Sequence, residues 1–262
     1  MPAYNAEQYI SEAIESILNQ TFQDFEFIII DDCSSDRTWD IIQEYARKDN
    51  RIIINRNQIN LGIAGNRNKL KKMAKGEYII WQDADDISVH TRLERQVGYM
   101  DNNLEVGICG GFLQFFNDRG NLHIRRYKEH DQDLRKNIFR FSPVAQPGAI
   151  IRKNILDEIG DYDLDYPPAE DLDMSFRIGR KYKFANLQEI VIRYRENNNS
   201  ATFTKLKTIE LKTISIRLKY NDGKFYCMSM GDYVYSIIQY ISVFIMSARF
   251  KIFLFNILRN SK

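Results

Sequence analysis

The chain has 262 residues, enough for one large α/β domain or a domain with an appendage, and at 44% hydrophobic and 27% charged it can fill a sizeable core, which excludes wholesale disorder. Lys plus Arg number 37 against 35 Asp plus Glu, so bulk electrostatic binding of nucleic acid is excluded as an organising principle. Cys33, Cys109 and Cys227 lie far apart with no C-x-x-C spacing, so neither a disulfide framework nor a structural zinc site is indicated, and a reducing compartment fits.

The first residues, Met1-Pro2-Ala3-Tyr4-Asn5, carry no basic stretch and no apolar run of the secretory type, which predicts a chain on the cytoplasmic side. Ile10, Ala13, Ile14, Ile17 and Leu18 recur at helical spacing across Ala6 to Leu18. Phe25 to Ile30 then forms a short apolar run ending in Asp31-Asp32, the mark of a buried strand. Ser34, Ser35 and Asp36 offer caps for a helix that continues through Trp39, Ile42, Tyr45 and Ala46. Ile52-Ile53-Ile54 predicts another strand, Ala64 to Met73 a basic helix, and Tyr78 to Gln82 a strand closed by Asp83-Ala84-Asp85-Asp86. Arg92 to Met100 reads as a helix and Val106 to Gly110 as a further strand. Strands alternating with helices predict a mostly parallel sheet covered on both faces.

In such sheets ligands bind beyond the carboxyl ends of the strands. Here two of those ends carry acidic clusters, Asp31-Asp32 and Asp83-Ala84-Asp85-Asp86. An isolated acid after a strand would merely cap the next helix. Carboxylates gathered at one rim repel unless a cation or a donor-rich ligand sits among them. Hard oxygen ligands select Mg2+ or Mn2+, and such sites commonly take one or two carboxylates and leave the rest to water and substrate phosphates. The chain has no G-x-x-x-x-G-K-[ST] and no G-x-G-x-x-G after its first strand, and His90, His123 and His130 form no H-E-x-x-H. A nucleotide held by side chains and a metal, rather than by a glycine loop, is what remains.

Pro2-Ala3-Tyr4-Asn5, Asp31-Asp32-Cys33-Ser34-Ser35-Asp36-Arg37-Thr38, Asn60-Leu61-Gly62, Arg67-Asn68 and Asp83-Ala84-Asp85-Asp86 occur in one order. Gly160-Asp161-Tyr162 and Ala169-Glu170-Asp171-Leu172-Asp173 follow downstream. In this order the chain resembles family 2 glycosyltransferases of the GT-A fold over about residues 1 to 200. The resemblance implies an α/β GT-A catalytic unit over 1–204, with a nucleotide-sugar half (1–100) and an acceptor-side half (101–204), and a helical region over 205–262. It implies donor contacts from Ala3, Tyr4, Asp31, Asp32, Arg67 and Asp83, and a metal ligand, for Mn2+ or Mg2+, in Asp85. It leaves open which of Asp31 and Asp32 meets the base, whether Arg67 instead belongs to a solvated helix face, and whether Asp86 assists or caps a helix. Asp171, with Glu170 beside it, matches the general base that activates the acceptor hydroxyl, although an acidic first helical turn would suit the macrodipole anyway.

The function so implied is inverting, metal-dependent transfer of one sugar from a nucleotide-diphosphate sugar, UDP-sugars favoured, to a glycan or lipid-linked acceptor in surface polysaccharide or oligosaccharide synthesis. The Q-x-x-R-W pattern of processive synthases is absent, the only tryptophans being Trp39 and Trp81, which favours single transfer. Gln146-Pro147 stands where the family often has His-Pro, so no catalytic role falls there. Only Met1 precedes Pro2, whereas a first strand of about five or six residues is expected; either translation starts upstream or the strand is stunted. The alternatives are a sugar-nucleotide pyrophosphorylase, against which the turn Pro2-Ala3-Tyr4-Asn5-Ala6 lacks a Gly-rich, Arg-containing loop, and a catalytically silent nucleotide-binding protein, against which both acidic motifs are intact.

After Asn199 the pattern changes. Lys205 to Tyr220 reads as a basic helix, and Tyr233 to Ala248 runs without a charge before Arg249, Lys251, Arg259 and Lys262. That run is short for a span and contains Ser236, Gln239, Ser242 and Ser247, which predicts a helix in the membrane interface on the inner face of the cell membrane. The alternative is a helical hairpin packed on the catalytic unit or on a second subunit.

Overall fold

The computed structural model describes residues 1–196 and 204–247, with residues 250, 251 and 254. Its first half is built on β1 (Pro2–Ala3), β2 (Phe27–Asp31) and β3 (Ile52–Arg56), which pair in parallel. Every residue of β2 is buried, as a strand covered on both faces must be. Phe27 and Ile29 face one way into a core with α1 (Ile10–Leu18) and α2 (Thr38–Lys48), while Ile28 and Ile30 face the other way into a core with α3 (Gly62–Met73). The β1 strand has only two residues. Met1 extends its ladder, donating its terminal nitrogen to the Ile28 carbonyl at 2.7 Å. A cavity of about 700 Å3 lies alongside, lined by Met1, Ile17, Ile28, Leu70, Tyr78 and Trp81 among others.

The second half does not continue the parallel pattern, and the expectation of a mostly parallel sheet is corrected here. The remaining strands are β4 (Tyr78–Ile80), β5 (Ile87–Ser88), β6 (Val106–Asn117), β7 (Gly120–Arg125), β8 (Ile150–Arg152) and β9 (Lys183–Arg195). They form a mixed sheet in the order β4-β8-β6-β9-β5 with β7 on β6, and only β6 and β9 run parallel. The physical reason lies in the connections. Helices join β1 to β2 and β2 to β3, whereas β6 returns on itself through a short turn, which only antiparallel pairing permits. The long strands β6 and β9 approach so closely that a Cβ on Gly111 would stand 2.4 Å from Val191.

Helices α4 (Arg92–Asp101), α5 (Asp131–Lys136), α6 (Lys153–Ile159) and α7 (Glu170–Gly179) cover this sheet. Two further helices, α8 (Leu206–Tyr220) and α9 (Met230–Ile245), follow. Ile216 and Tyr220 of α8 belong to the main core, and Tyr220 stacks on Phe176 of α7 with ring centroids 4.7 Å apart. Helix α9 is turned the opposite way from a core helix: Asp232, Ser236 and Ser242 are buried, while Val234, Ile237, Ile238, Ile241, Phe244 and Ile245 are exposed. Among the described residues no helix is long and apolar enough to cross a membrane. Arg249, Arg259 and Lys262 lie outside the described residues.

Candidate active site

Two loops after β1 and β2 are laced together by reciprocal hydrogen bonds. The Asn5 amide donates to Ser34 Oγ at 3.0 Å, the Ala6 amide to Thr38 Oγ1 at 2.7 Å and the Glu7 amide to Asp36 Oδ2 at 3.1 Å. In return the Ser35 amide donates to Asn5 Oδ1 at 2.9 Å and the Arg37 amide to Glu7 Oε2 at 3.0 Å. The serines therefore do not cap α2, contrary to expectation, because Ser34 Oγ accepts the Asn5 amide and the Ser35 hydroxyl donates to Asn5 Oδ1 at 3.3 Å. Asn5 and Cys33 accept positive φ values of 47° and 65° at the two bends. Ala3, paired with Asp31, is buried, and Tyr4 beside it is 55% exposed.

Asp31 and Asp32 are both buried but occupied differently. Asp32 accepts from Asn57 Nδ2 at 2.8 Å, from the Leu61 amide at 2.8 Å and from the Gly62 amide at 2.9 Å, so both of its oxygens secure the Asn60-Leu61-Gly62 turn at the start of α3. Asp31 forms an ion pair with Arg56 Nε at 3.0 Å through Oδ2, and its Oδ1 is buried with no partner. Arg56, Asn57 and Lys69, which bonds Asn55 Oδ1 and Asn57 Oδ1 at 2.7 Å each, were not singled out from sequence. The register that sets Arg56 opposite Asp31 exists only in the folded sheet, so no signal along the chain pointed to it.

Arg67 is buried, not part of a solvated face. Its Nη1 donates to Glu170 Oε1 at 2.6 Å, and its guanidinium lies 5.6 Å from the Trp81 ring and 5.7 Å from the Tyr162 ring. Asn68 fastens the same stretch of α3 to the second half, donating to the Tyr162 carbonyl at 2.9 Å and accepting its amide at 2.7 Å. Glu170 contacts Arg67 directly, and Asp83 and Asp171 lie near enough to add their charges to the field at its guanidinium. Gln146 donates to Tyr162 Oη at 2.5 Å, behind the site.

The acids of the Asp83-Ala84-Asp85-Asp86 loop separate by environment. Asp86 is buried and accepts the Arg195 amide at 2.8 Å; a short strand, β5, follows it, so it caps no helix. Asp83 and Asp85 are half-buried and, among the described residues, neither is in an ion pair. Burial first, and the charge of Asp83 second, push the Asp85 carboxyl up to about 6. Two such carboxylates suit a cation; among the described residues no three ligating side chains converge on one point, so the donor's phosphates would have to complete its shell.

At the start of α7 the three acids also part. Glu170 is held by Arg67, and Asp173 accepts from Arg177 Nε at 2.8 Å, Lys219 Nζ at 2.9 Å and Tyr220 Oη at 2.9 Å, a structural set. The Asp171 carboxylate accepts the adjacent Leu172 amide at 2.8 Å, is in no ion pair among the described residues and remains half-buried. Burial raises its carboxyl above the ordinary range, with Arg67 opposing. Such a group is a better proton acceptor than an exposed aspartate.

Residues 1–160 match the model of glycosyl transferase family 2. An uncharacterized glycosyltransferase of Methanocaldococcus jannaschii is 32% identical over 253 residues, covering 93% of this chain and 87% of that one. The chain belongs to glycosyl transferase family 2. Over a shorter stretch of 99 residues the transferase is 46% identical to an Escherichia coli UDP-Glc:alpha-D-GlcNAc-diphosphoundecaprenol beta-1,3-glucosyltransferase, covering 38% of this chain and 39% of that one. Its fold is that of the GT-A glycosyltransferases. Mannosyltransferase PcManGT from Pyrobaculum calidifontis, solved with GDP-Man and Mn2+, superposes with a TM-score of 0.66 at 15% identity, covering 92% of this chain and 68% of that one.

Proposed function

We propose that this family 2 transferase moves a single hexose, with inversion, from a nucleotide-diphosphate sugar to a hydroxyl of a glycan or lipid-linked acceptor in cell-surface polysaccharide synthesis. The observation that carries the reading is the convergence on Arg67 of donor-side Asp83 and acceptor-side Glu170 and Asp171, with Asp171 alone free of an ion pair in its helical turn. Ala3, Tyr4 and the partnerless Oδ1 of Asp31 line the nucleoside end, and Asp83 faces the ribose. Asp85 would hold the metal, Mn2+ or Mg2+, together with the donor diphosphate. A divalent cation there offsets the negative charge that builds on the departing nucleoside diphosphate. Asp171 takes the proton of the acceptor hydroxyl while that oxygen bonds to the anomeric carbon. The electron pair of the broken carbon–oxygen bond leaves with the diphosphate. Attack from the face opposite the leaving group inverts the centre.

A UDP-sugar is the favoured donor, supported by the UDP-Glc named for the E. coli relative. The same name, with its diphosphoundecaprenol acceptor, supports a lipid-linked acceptor and an enzyme working at the inner face of the membrane. In this reading residues 1–100 bind donor, 101–204 form the acceptor side, and 205–262 present the outward apolar face of α9 to the membrane surface. Incubating the protein with a panel of nucleotide-sugars, with and without Mn2+, should release one nucleoside diphosphate in a metal-dependent manner. The anomer of the product, read by NMR, should be opposite to that of the donor. A retained anomer would overturn the displacement through Asp171.

A further inference from the structure

The pair formed by Arg67 and Glu170 has features that packing alone does not explain. Both side chains are buried, with 5% and 4% of their surface exposed. Arg67 Nε and Glu170 Oε2 are each left without a hydrogen-bond partner. An ion pair so placed suffers desolvation that a hydrophobic pair of similar volume would avoid, so stability is a weak reason for it to exist. Its position is specific. Arg67 comes from α3, packed beside the Trp81 and Tyr162 rings where these meet edge to face, and Glu170 immediately precedes Asp171 in the first turn of α7. Among the described residues the charged groups acting on Asp171 are Arg67 from α3, Asp83 from the loop after β4 and Glu170 from its own helix, while Tyr162, from the segment before α7, acts on Arg67 and Glu170.

We propose that the Arg67–Glu170 pair is a positioning element that sets the basicity of Asp171: Glu170 neutralises Arg67, so that the guanidinium can brace the site without turning Asp171 into a weak base. The proposal rests on the reading of Asp171 as general base and adds its control. An uncompensated cation within a few ångströms favours the charged form of a carboxylate, and an uncompensated carboxylate disfavours it. Conversely, Arg67 occupies Glu170 Oε1 and opposes the rise that burial imposes on the Glu170 carboxyl, which makes Glu170 a poorer competitor for the acceptor's proton.

The test is the pH dependence of kcat at saturating donor and acceptor in four variants, with thermal melting of each recorded in parallel. In Glu170→Gln the guanidinium is unbalanced, so the acid limb should move to lower pH by about one pH unit, and the plateau should fall roughly 3- to 10-fold as the base weakens. In Arg67→Met the carboxylate of Glu170 is unbalanced, and the limb should move to higher pH. The double variant should return the limb close to its original position, and Arg67→Lys, which keeps the charge, should return it most of the way from the Arg67→Met position. Should Arg67→Met fail to fold, Glu170→Gln still decides the matter by whether its limb moves. Limbs that stay in place while melting temperature or kcat falls would make the pair merely structural and overturn the proposal. Asp171→Asn separates the two readings: if it turns over normally, the general-base reading has failed; if it is inactive and the limbs do not move, only the tuning role has failed.

Discussion

Asp31 and Asp32 are adjacent, both buried and both acidic, yet their environments assign them different work. Asp32 spends both oxygens on the Asn57 side chain and the Leu61 and Gly62 amides. Asp32→Ala should therefore release the start of α3 and lower stability by about 2–4 kcal/mol, several buried hydrogen bonds to a charged group being lost together, which a thermal melt would register. Asp31→Asn keeps the shape of its side chain, and its main expected loss is in nucleoside-diphosphate affinity by calorimetry; unchanged affinity would remove Asp31 from the donor site. Asp85→Asn removes a charge without changing size, and Mn2+-dependent binding of a nucleoside diphosphate should weaken sharply. Wild-type metal dependence in that variant would exclude Asp85 as the ligand. Asp171→Asn should leave donor affinity nearly intact while kcat falls by roughly 10²- to 10⁴-fold, the usual worth of a general base. Which acids were candidates was legible in their order along the chain. Which oxygen is spent and which is spare was not, because Asn57, Leu61 and Arg56 reach the aspartates only through the pairing of β2 with β3 and the turn into α3.

Helix α7 is acidic in its first turn, as a macrodipole favours, but the three acids divide by the face on which they lie. Asp173 points toward α8, where Lys219 and Tyr220 meet it, and Arg177 closes the set from its own helix one turn on. Asp173→Ala would leave the Tyr220 hydroxyl buried without its acceptor and Arg177 without its anion, while Lys219 would keep only its longer pairing with Asp163. We expect a loss of about 2–4 kcal/mol, visible as a lowered melting temperature. Donor binding should persist, since the proposed donor groups sit on or just after β1 and β2, on α3 and in the loop after β4. The predicted strand Val106 to Gly110 extends in fact to Asn117, because hydrogen bonding to β7 and β9 sustains a run that local pattern would have ended at two glycines. Those glycines mark close approach of the neighbouring strand rather than a turn.

At the scale of the molecule, α3 and α7 meet across the boundary between the parallel and mixed sheets, and the Arg67–Glu170 contact joins the two halves of the proposed site. The exposed face of α9 lies beyond α8, which joins it to α7. Ile237, Ile238 and Ile241 are each more than half exposed, so replacing Ile238 and Ile241 by Glu should leave the melting temperature almost unchanged. If this face contacts lipid, the double variant should lose binding to anionic vesicles, whereas a face used between subunits would instead change the sedimenting mass of the protein in solution. If neither property changes, the face takes part in neither contact.

The amino-acid sequence by itself determined the alternation of strands and helices through α3, the acidic rim at the strand ends and the identity of the family, because burial period and motif order are local properties written along the chain. The tertiary structure decided the rest. Antiparallel pairing in the second half, the burial of Arg67 in a helix that reads as basic and solvated, and the release of Asp171 from the ion pairs that bind Glu170 and Asp173 all depend on contacts between residues far apart in the chain. An acid's chemistry is set by which cations and amides surround it, and only folding brings those neighbours within reach.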